Sequence, residues 1–111
     1  MNSPLINRDT FGELQANAGA EFVAELVDTF AEEAPGLLAE LRSAHALGSA
    51  DAFRRAAHSL KSNSNTFGAS RLAEMARTLE LGGMPGNADP VDALQAELAA
   101  TLAALKDLAR G

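Results

Sequence analysis

The chain contains no cysteine, no tryptophan and no tyrosine. Without cysteine there are no disulfides, no thiolate chemistry and no Cys-based zinc sites. Two histidines, His45 and His58, are too few and too far apart in sequence for a His-rich metal site. No apolar run approaches the ~20 residues of a membrane span. The opening residues MNSPLINRDTFGE lack the basic start and apolar stretch of a secretory signal, so the expected location is cytoplasmic, away from membranes. Basic residues are also short: nine Lys and Arg stand against fifteen Asp and Glu, and a net charge of −6 argues against general nucleic-acid binding. No Gly-rich nucleotide loop is present, and no kinase activity of its own is expected.

What the sequence does have is alanine and leucine. Apolar residues make up 47% of its 111 positions, enough for one packed domain. Ala and Leu are the strongest helix formers, while β-branched and aromatic residues are few. These features predict an all-α fold.

The periodicity divides the chain into segments. An N-terminal arm, residues 1–19, is expected to be loose, with a short helix near 9–18 capped by Asp9 or Thr10 and stopped by Gly19. Residues 20–111 form the main domain. A long segment over 21–47 carries Phe22, Leu26, Phe30, Leu37, Leu41 and Ala44 as its apolar stripe. Pro35 lies inside it, which predicts a kink or two nearly collinear pieces. Gly48 closes that segment, and Ser49 or Asp51 caps a helix over 50–66.

A further helix runs over 70–81 with Leu72, Met75, Ala76 and Leu79 inward. The stretch GGMPGNADP is a loop by composition. Asp89 as cap and Pro90 at the first helical position start the last helix, whose inward face is Val91, Leu94, Leu98, Leu102, Leu105 and Leu108. Four amphipathic helices with short connections predict an antiparallel four-helix bundle with a kinked second segment.

Charge is distributed unevenly along this plan. Residues 1–53 contain nine acids against Arg8 and Arg42. Residues 54–80 reverse the balance, with Arg54, Arg55, Lys61, Arg71 and Arg77 against Glu74 and Glu80. His58 sits in this basic island, within AAHSLKSNSNTFG. Phe53, Ala57, Leu60, Ser64 and Phe67 mark the buried line of its helix. At ~100° per residue His58 points roughly 140° away from that line and is expected to be exposed.

Arg54, Arg55 and Lys61 are its helical neighbours at i−4, i−3 and i+3, and Ser62 and Asn65 lie further along the same side. Ser and Asn are weak helix formers, so small size rather than helicity explains them here. Cations attract an incoming phosphoryl group, and small neighbours let another protein's active site close over the ring. No Ser or Asp partner is placed in the sequence to orient the imidazole, which favours a phosphoacceptor over a general base. His45 lies at a helix end, lacks such neighbours and is read as structural.

The stretch AAHSLKSNSNTFGA resembles the signature of histidine-containing phosphotransfer (HPt) domains, His-x-Leu-Lys-Gly with a second Gly after five further residues. His58, Leu60, Lys61 and Gly68 match, while Ser62 stands where the pattern has Gly. The flanks LRSAHALGSADAFRRA and SRLAEMARTLE are also similar to that family, and the resemblance covers about residues 20–108.

It implies a monomeric phosphorelay intermediate. A response-regulator receiver domain, for instance that of a hybrid histidine kinase, brings a phosphoaspartate and its bound Mg²⁺. His58 accepts the phosphoryl group, and a second receiver takes it away. The chain needs no cofactor or metal of its own. Lys61 is expected to stabilise the phosphoryl group, and Arg54, Arg55, Ser62, Asn65 and Gly68 to meet the partner. Two other readings remain open at this level. One is a non-phosphorylated adaptor for receivers; the other is the dimerisation and phosphoacceptor part of a histidine kinase, for which an acidic residue in place of Ser59 is the usual mark.

Overall fold

Asn7 caps the first helix, which begins at Arg8, one position before the expected segment. Its backbone is extended, and its side-chain oxygen accepts from the amides of Asp9 (3.0 Å) and Thr10 (3.1 Å). Asp9 and Thr10 are therefore capped residues, not caps: an Asn in extended geometry satisfies the free first-turn amides. The structure, a computed structural model, describes residues 5–110. They form α1 (Arg8–Ala18), α2 (Ala20–Leu47), α3 (Ala50–Thr66), α4 (Ser70–Leu81) and α5 (Asp89–Arg110), with no strand among the described residues.

The 28-residue α2 continues as one helix across Pro35. Proline there removes the bond to the Ala31 carbonyl and costs about 3 kcal/mol in a helix interior. The ring points to solvent, and buried Phe30, Ala34, Leu41 and Ala44 on either side anchor both halves in one core. Gly48 ends α2 in the left-handed region (φ 71°), and the Ser49 amide reaches back to the Ala44 carbonyl at 2.9 Å. Ser49 then occupies the N-cap position of α3 without a side-chain capping bond. Asp89, expected as the cap of α5, is already its first helical residue; its amide is taken by the Asn87 side chain at 2.9 Å.

The apolar face of α2 differs from the expected stripe. Val23, Val27, Phe30, Ala34, Leu41 and Ala44 are buried, while Phe22 is 51% exposed. Both sets keep helical spacing, and tertiary packing selects the phase: α2 contacts α1, α3 and α5, so a wide face is covered and Leu26 and Leu37 lie at its margins. On α3 the expected line is correct, with Phe53, Ala57, Leu60, Ser64 and Phe67 buried. Met75 on α4 and Leu102 and Leu108 on α5 are partly buried, and Ala73 and Thr101 take the deeper positions. Contacts of α3 with α4, α2 with α3, α2 with α5 and α4 with α5 close a ring around this core. Arg42 on α2 fastens α5 through Asp92 (2.8 Å) and Gln95, and His45 Nε2 meets the Pro85 carbonyl at 2.9 Å.

The described part of the expected loose arm, residues 5–19, is packed on the domain; residues 1–4 lie outside the described residues. Ile6 and Phe11 belong to the same core, and the Asn7 amide donates to the Gly68 carbonyl at 2.7 Å. Gly68 follows α3 in the left-handed region (φ 77°). A Cβ there would sit 2.8 Å from the Asn7 carbonyl oxygen and 2.9 Å from Thr10 Cβ. Gly68→Ala is expected to destabilise the protein by about 2–4 kcal/mol, combining left-handed strain with overpacking. Urea denaturation checks this, and a negligible loss would mean that the N-terminal segment lifts away freely.

Candidate functional site

His58 lies near the middle of α3, on the side opposite Phe53, Leu60 and Ser64, and its side chain is 57% exposed. The ring is nevertheless held. Its Nδ1 is 2.6 Å from Glu80 Oε2, and the other oxygen of that carboxylate is 2.7 Å from Lys61 Nζ. Glu80 comes from the last turn of α4, where buried Ala73 and Ala76 put position 80 on the face turned toward α3. Its side chain is only 11% exposed. The Lys61 ammonium above all, helped by the His58 imidazole, holds the Glu80 carboxyl below the usual carboxylate range against the opposing effect of burial.

The absence of an orienting partner is thus overturned by the structure: a carboxylate 22 positions away in sequence provides one. One signal was available. Glu80 continues the 73, 76, 80 spacing of the buried face of α4, and an acid in a buried register needs a cationic or hydrogen-bonding partner. Its partner's identity was not readable, because it depends on how α4 is set against α3.

An ionised carboxylate only accepts, so the hydrogen between it and the imidazole sits on Nδ1. In the neutral ring this leaves Nε2 with its lone pair, and no contact engages that nitrogen among the described residues. The result is a fixed tautomer with the outer nitrogen available as a nucleophile.

The other expected residues divide. Arg54 and Arg55 are exposed and both turn to Asp51 in the first turn of α3, Arg54 through Nη2 and Arg55 through Nε at 3.4 Å. Lys61 is one-quarter exposed and paired with Glu80, not standing free beside the imidazole. Ser62 and Asn65 are exposed on the His58 side. Gly68, placed by the family pattern among partner-contacting positions, is buried under Asn7 and Thr10, so its requirement for glycine comes from this chain itself. A groove of about 630 Å³ runs between α2 and α3, lined by Ala39, Ser43, Leu47, Ala52, Arg55 and Ser59, with the His58 ring outside its walls. Leu47 is 80% exposed there.

The model of the Hpt domain family matches residues 25–105. The chain belongs to the Hpt domain family. It is also similar to the crystal structure of histidine-containing phosphotransfer protein B (HptB) from Pseudomonas aeruginosa PAO1, at 28% identity and a TM-score of 0.77, over 98% of this chain and 94% of that one. None of the curated proteins compared with it matches. Hpt domains serve histidine phosphotransfer in two-component phosphorelays and work with response-regulator receiver domains. In this Hpt domain no described helix is long and apolar enough to cross a membrane. Among the described residues no group of three His, Asp or Glu side chains is placed to hold a metal ion.

The ion pairs of Glu80 give this Hpt domain a pH signature. A carboxyl whose native pKa is lowered contributes stability in full above its ordinary value of 4.5, and loses it as pH falls through the lowered value. Glu80→Gln is therefore expected to be less stable than wild type at neutral pH, with the gap closing in acid. Thermal melts of both proteins from about pH 7 to about pH 3 measure it. A gap that persists unchanged into acid would rule out an ionised, paired Glu80.

Proposed function

We propose that His58 is the phosphoacceptor of a phosphorelay, taking a phosphoryl group on Nε2 from the phosphoaspartate of one receiver domain and returning it to an aspartate of another. The observation that carries this reading is the Glu80 contact, which commits Nδ1 as the protonated nitrogen and leaves Nε2 as the nucleophile on an exposed ring. In the forward step the Nε2 lone pair attacks phosphorus, the N–P bond forms, and the P–O bond to the aspartate breaks with the carboxylate as leaving group. The Nδ1 proton stays between ring and Glu80, so the positive charge developing on the imidazole faces a carboxylate. Reversal needs no proton transfer, since the ring leaves as the same neutral tautomer. Positioning and charge stabilisation dominate such a transfer, and the receiver supplies Mg²⁺.

Lys61 is ion-paired with Glu80, and its ammonium, one turn from the ring, also offers hydrogens to the phosphoryl oxygens. The groove between α2 and α3, with exposed Leu47 on its wall and Ser59, the chain neighbour of His58, in its lining, is the seat for the receiver. Arg54 and Arg55 border the site as a monomeric carrier meets its partner, and Asp51 holds them clear of the imidazole.

The test is transfer from a phosphorylated receiver. Wild type is expected to gain one acid-labile, base-stable phosphate per chain. A chain that binds the receiver but takes up no phosphate is the adaptor instead.

A further inference from the structure

We infer that the hydroxyl of Ser62 donates a hydrogen bond to the phosphoryl group carried by His58, and so holds phosphate on this chain against its return to the receiver. This rests on the phosphocarrier reading above and adds a residue to it. Ser62 is exposed one turn beyond His58, at i+4. Such positions have Cβ atoms about 5–6 Å apart. Every Cα–Cβ bond of a helix tilts toward its N-terminus, so the Ser62 side chain leans back over the turn that carries the imidazole.

The hydroxyl is also unengaged. Thr29, Ser64, Thr66 and Thr78 each donate to the carbonyl four residues earlier, a resting bond open to a helical hydroxyl, whereas Ser43, Ser59 and Ser62 do not. Ser62 makes no such bond and has no other partner among the described residues. Its own carbonyl receives the Thr66 hydroxyl, which keeps Thr66 turned away from the phosphoryl position.

Charge balance makes a neutral donor matter. The three cations near His58 are largely compensated: Lys61 by Glu80, and Arg54 and Arg55 by Asp51. A serine hydroxyl carries no such counter-charge. Its full donor capacity is available to an anionic acceptor, for which hydrogen bonds are stronger than between neutral groups. The HPt pattern has Gly at this position, which supplies no donor.

A thermodynamic cycle separates this role from a steric one. The equilibrium division of phosphate between chain and receiver depends only on the free energies of the separated species. A residue acting through docking changes the rate of equilibration and leaves the division unaltered. A hydrogen bond to the phosphoryl group on His58 stabilises one species and shifts the division itself.

The experiment equilibrates labelled phosphate between a receiver and wild type, Ser62→Ala and Ser62→Gly, then measures both the approach rate and the final ratio. Both variants are expected to move the final ratio toward the receiver by about threefold to tenfold, the scale of one net hydrogen bond. Melting of the unphosphorylated variants confirms the fold. Wild type that takes no phosphate overturns the carrier reading. Wild type that is charged, with both variants settling at its ratio, overturns only the role of Ser62.

Discussion

Replacing His58 by Gln is expected to abolish uptake of acid-labile phosphate while leaving the helical fold intact. An amide nitrogen is not a nucleophile toward phosphorus, and no other group replaces the ring. His45, the only other imidazole, is held at the Pro85 carbonyl and packs against Phe53 at 6.0 Å. The cost in stability is small because the His58 side chain is mostly in water, where substitutions stay within about 0.5 kcal/mol. Gln also keeps an N–H within reach of Glu80. Labelled transfer from a phosphorylated receiver, alongside a thermal melt, reads both parts. Phosphate at wild-type stoichiometry on the variant would move the acceptor away from His58.

Lys61→Ala carries the second large effect, and here the structure changes the expectation. From its spacing alone Lys61 was a surface cation reaching for the phosphoryl group, so its loss would slow transfer and leave stability nearly untouched. Its salt bridge to the 11%-exposed carboxylate of Glu80 gives it a second task. Removing the ammonium withdraws a charge-assisted contact from the phosphoryl group, a loss of about tenfold to a hundredfold in transfer rate. It also leaves the Glu80 carboxylate with only the His58 ring N–H against it among the described residues, so the melting temperature is expected to fall.

The double variant Lys61→Ala with Glu80→Gln separates the two tasks. Taking away the stranded charge is expected to restore much of the melting temperature, whereas the rate stays low. Recovery of the rate would assign Lys61 to holding Glu80 and nothing more.

These two residues also show where reading the chain succeeds and where it stops. The exposure of His58 follows from local geometry: with Phe53, Ala57, Leu60 and Ser64 as one line, the opposite side of a helix faces out, and it does. The neighbours of His58 on its own helix follow in the same way, because spacing along a helix is fixed by the backbone. On α2 the same method found the helix and the buried Phe30, Leu41 and Ala44, but misplaced the face of its first turns. Two stripes of equal periodicity were available, and Phe22 lost to Val23 and Val27 because contacts with three other helices decide which face is covered.

Sequence by itself determined the all-helical class, the segment boundaries to within a residue or so, the exposed histidine in a run of small residues, and the family signature around it. Tertiary structure alone decided that Glu80 fixes the tautomer of His58 and pairs with Lys61, that Asp51 draws Arg54 and Arg55 aside, and that Gly68 serves the packing of Asn7 and Thr10. The physical reason is the range of the interactions. Helix propensity, capping and face are set within a few turns of backbone. The partner of a side chain across two helices depends on their relative rotation and depth, which are set by the packing of the whole core.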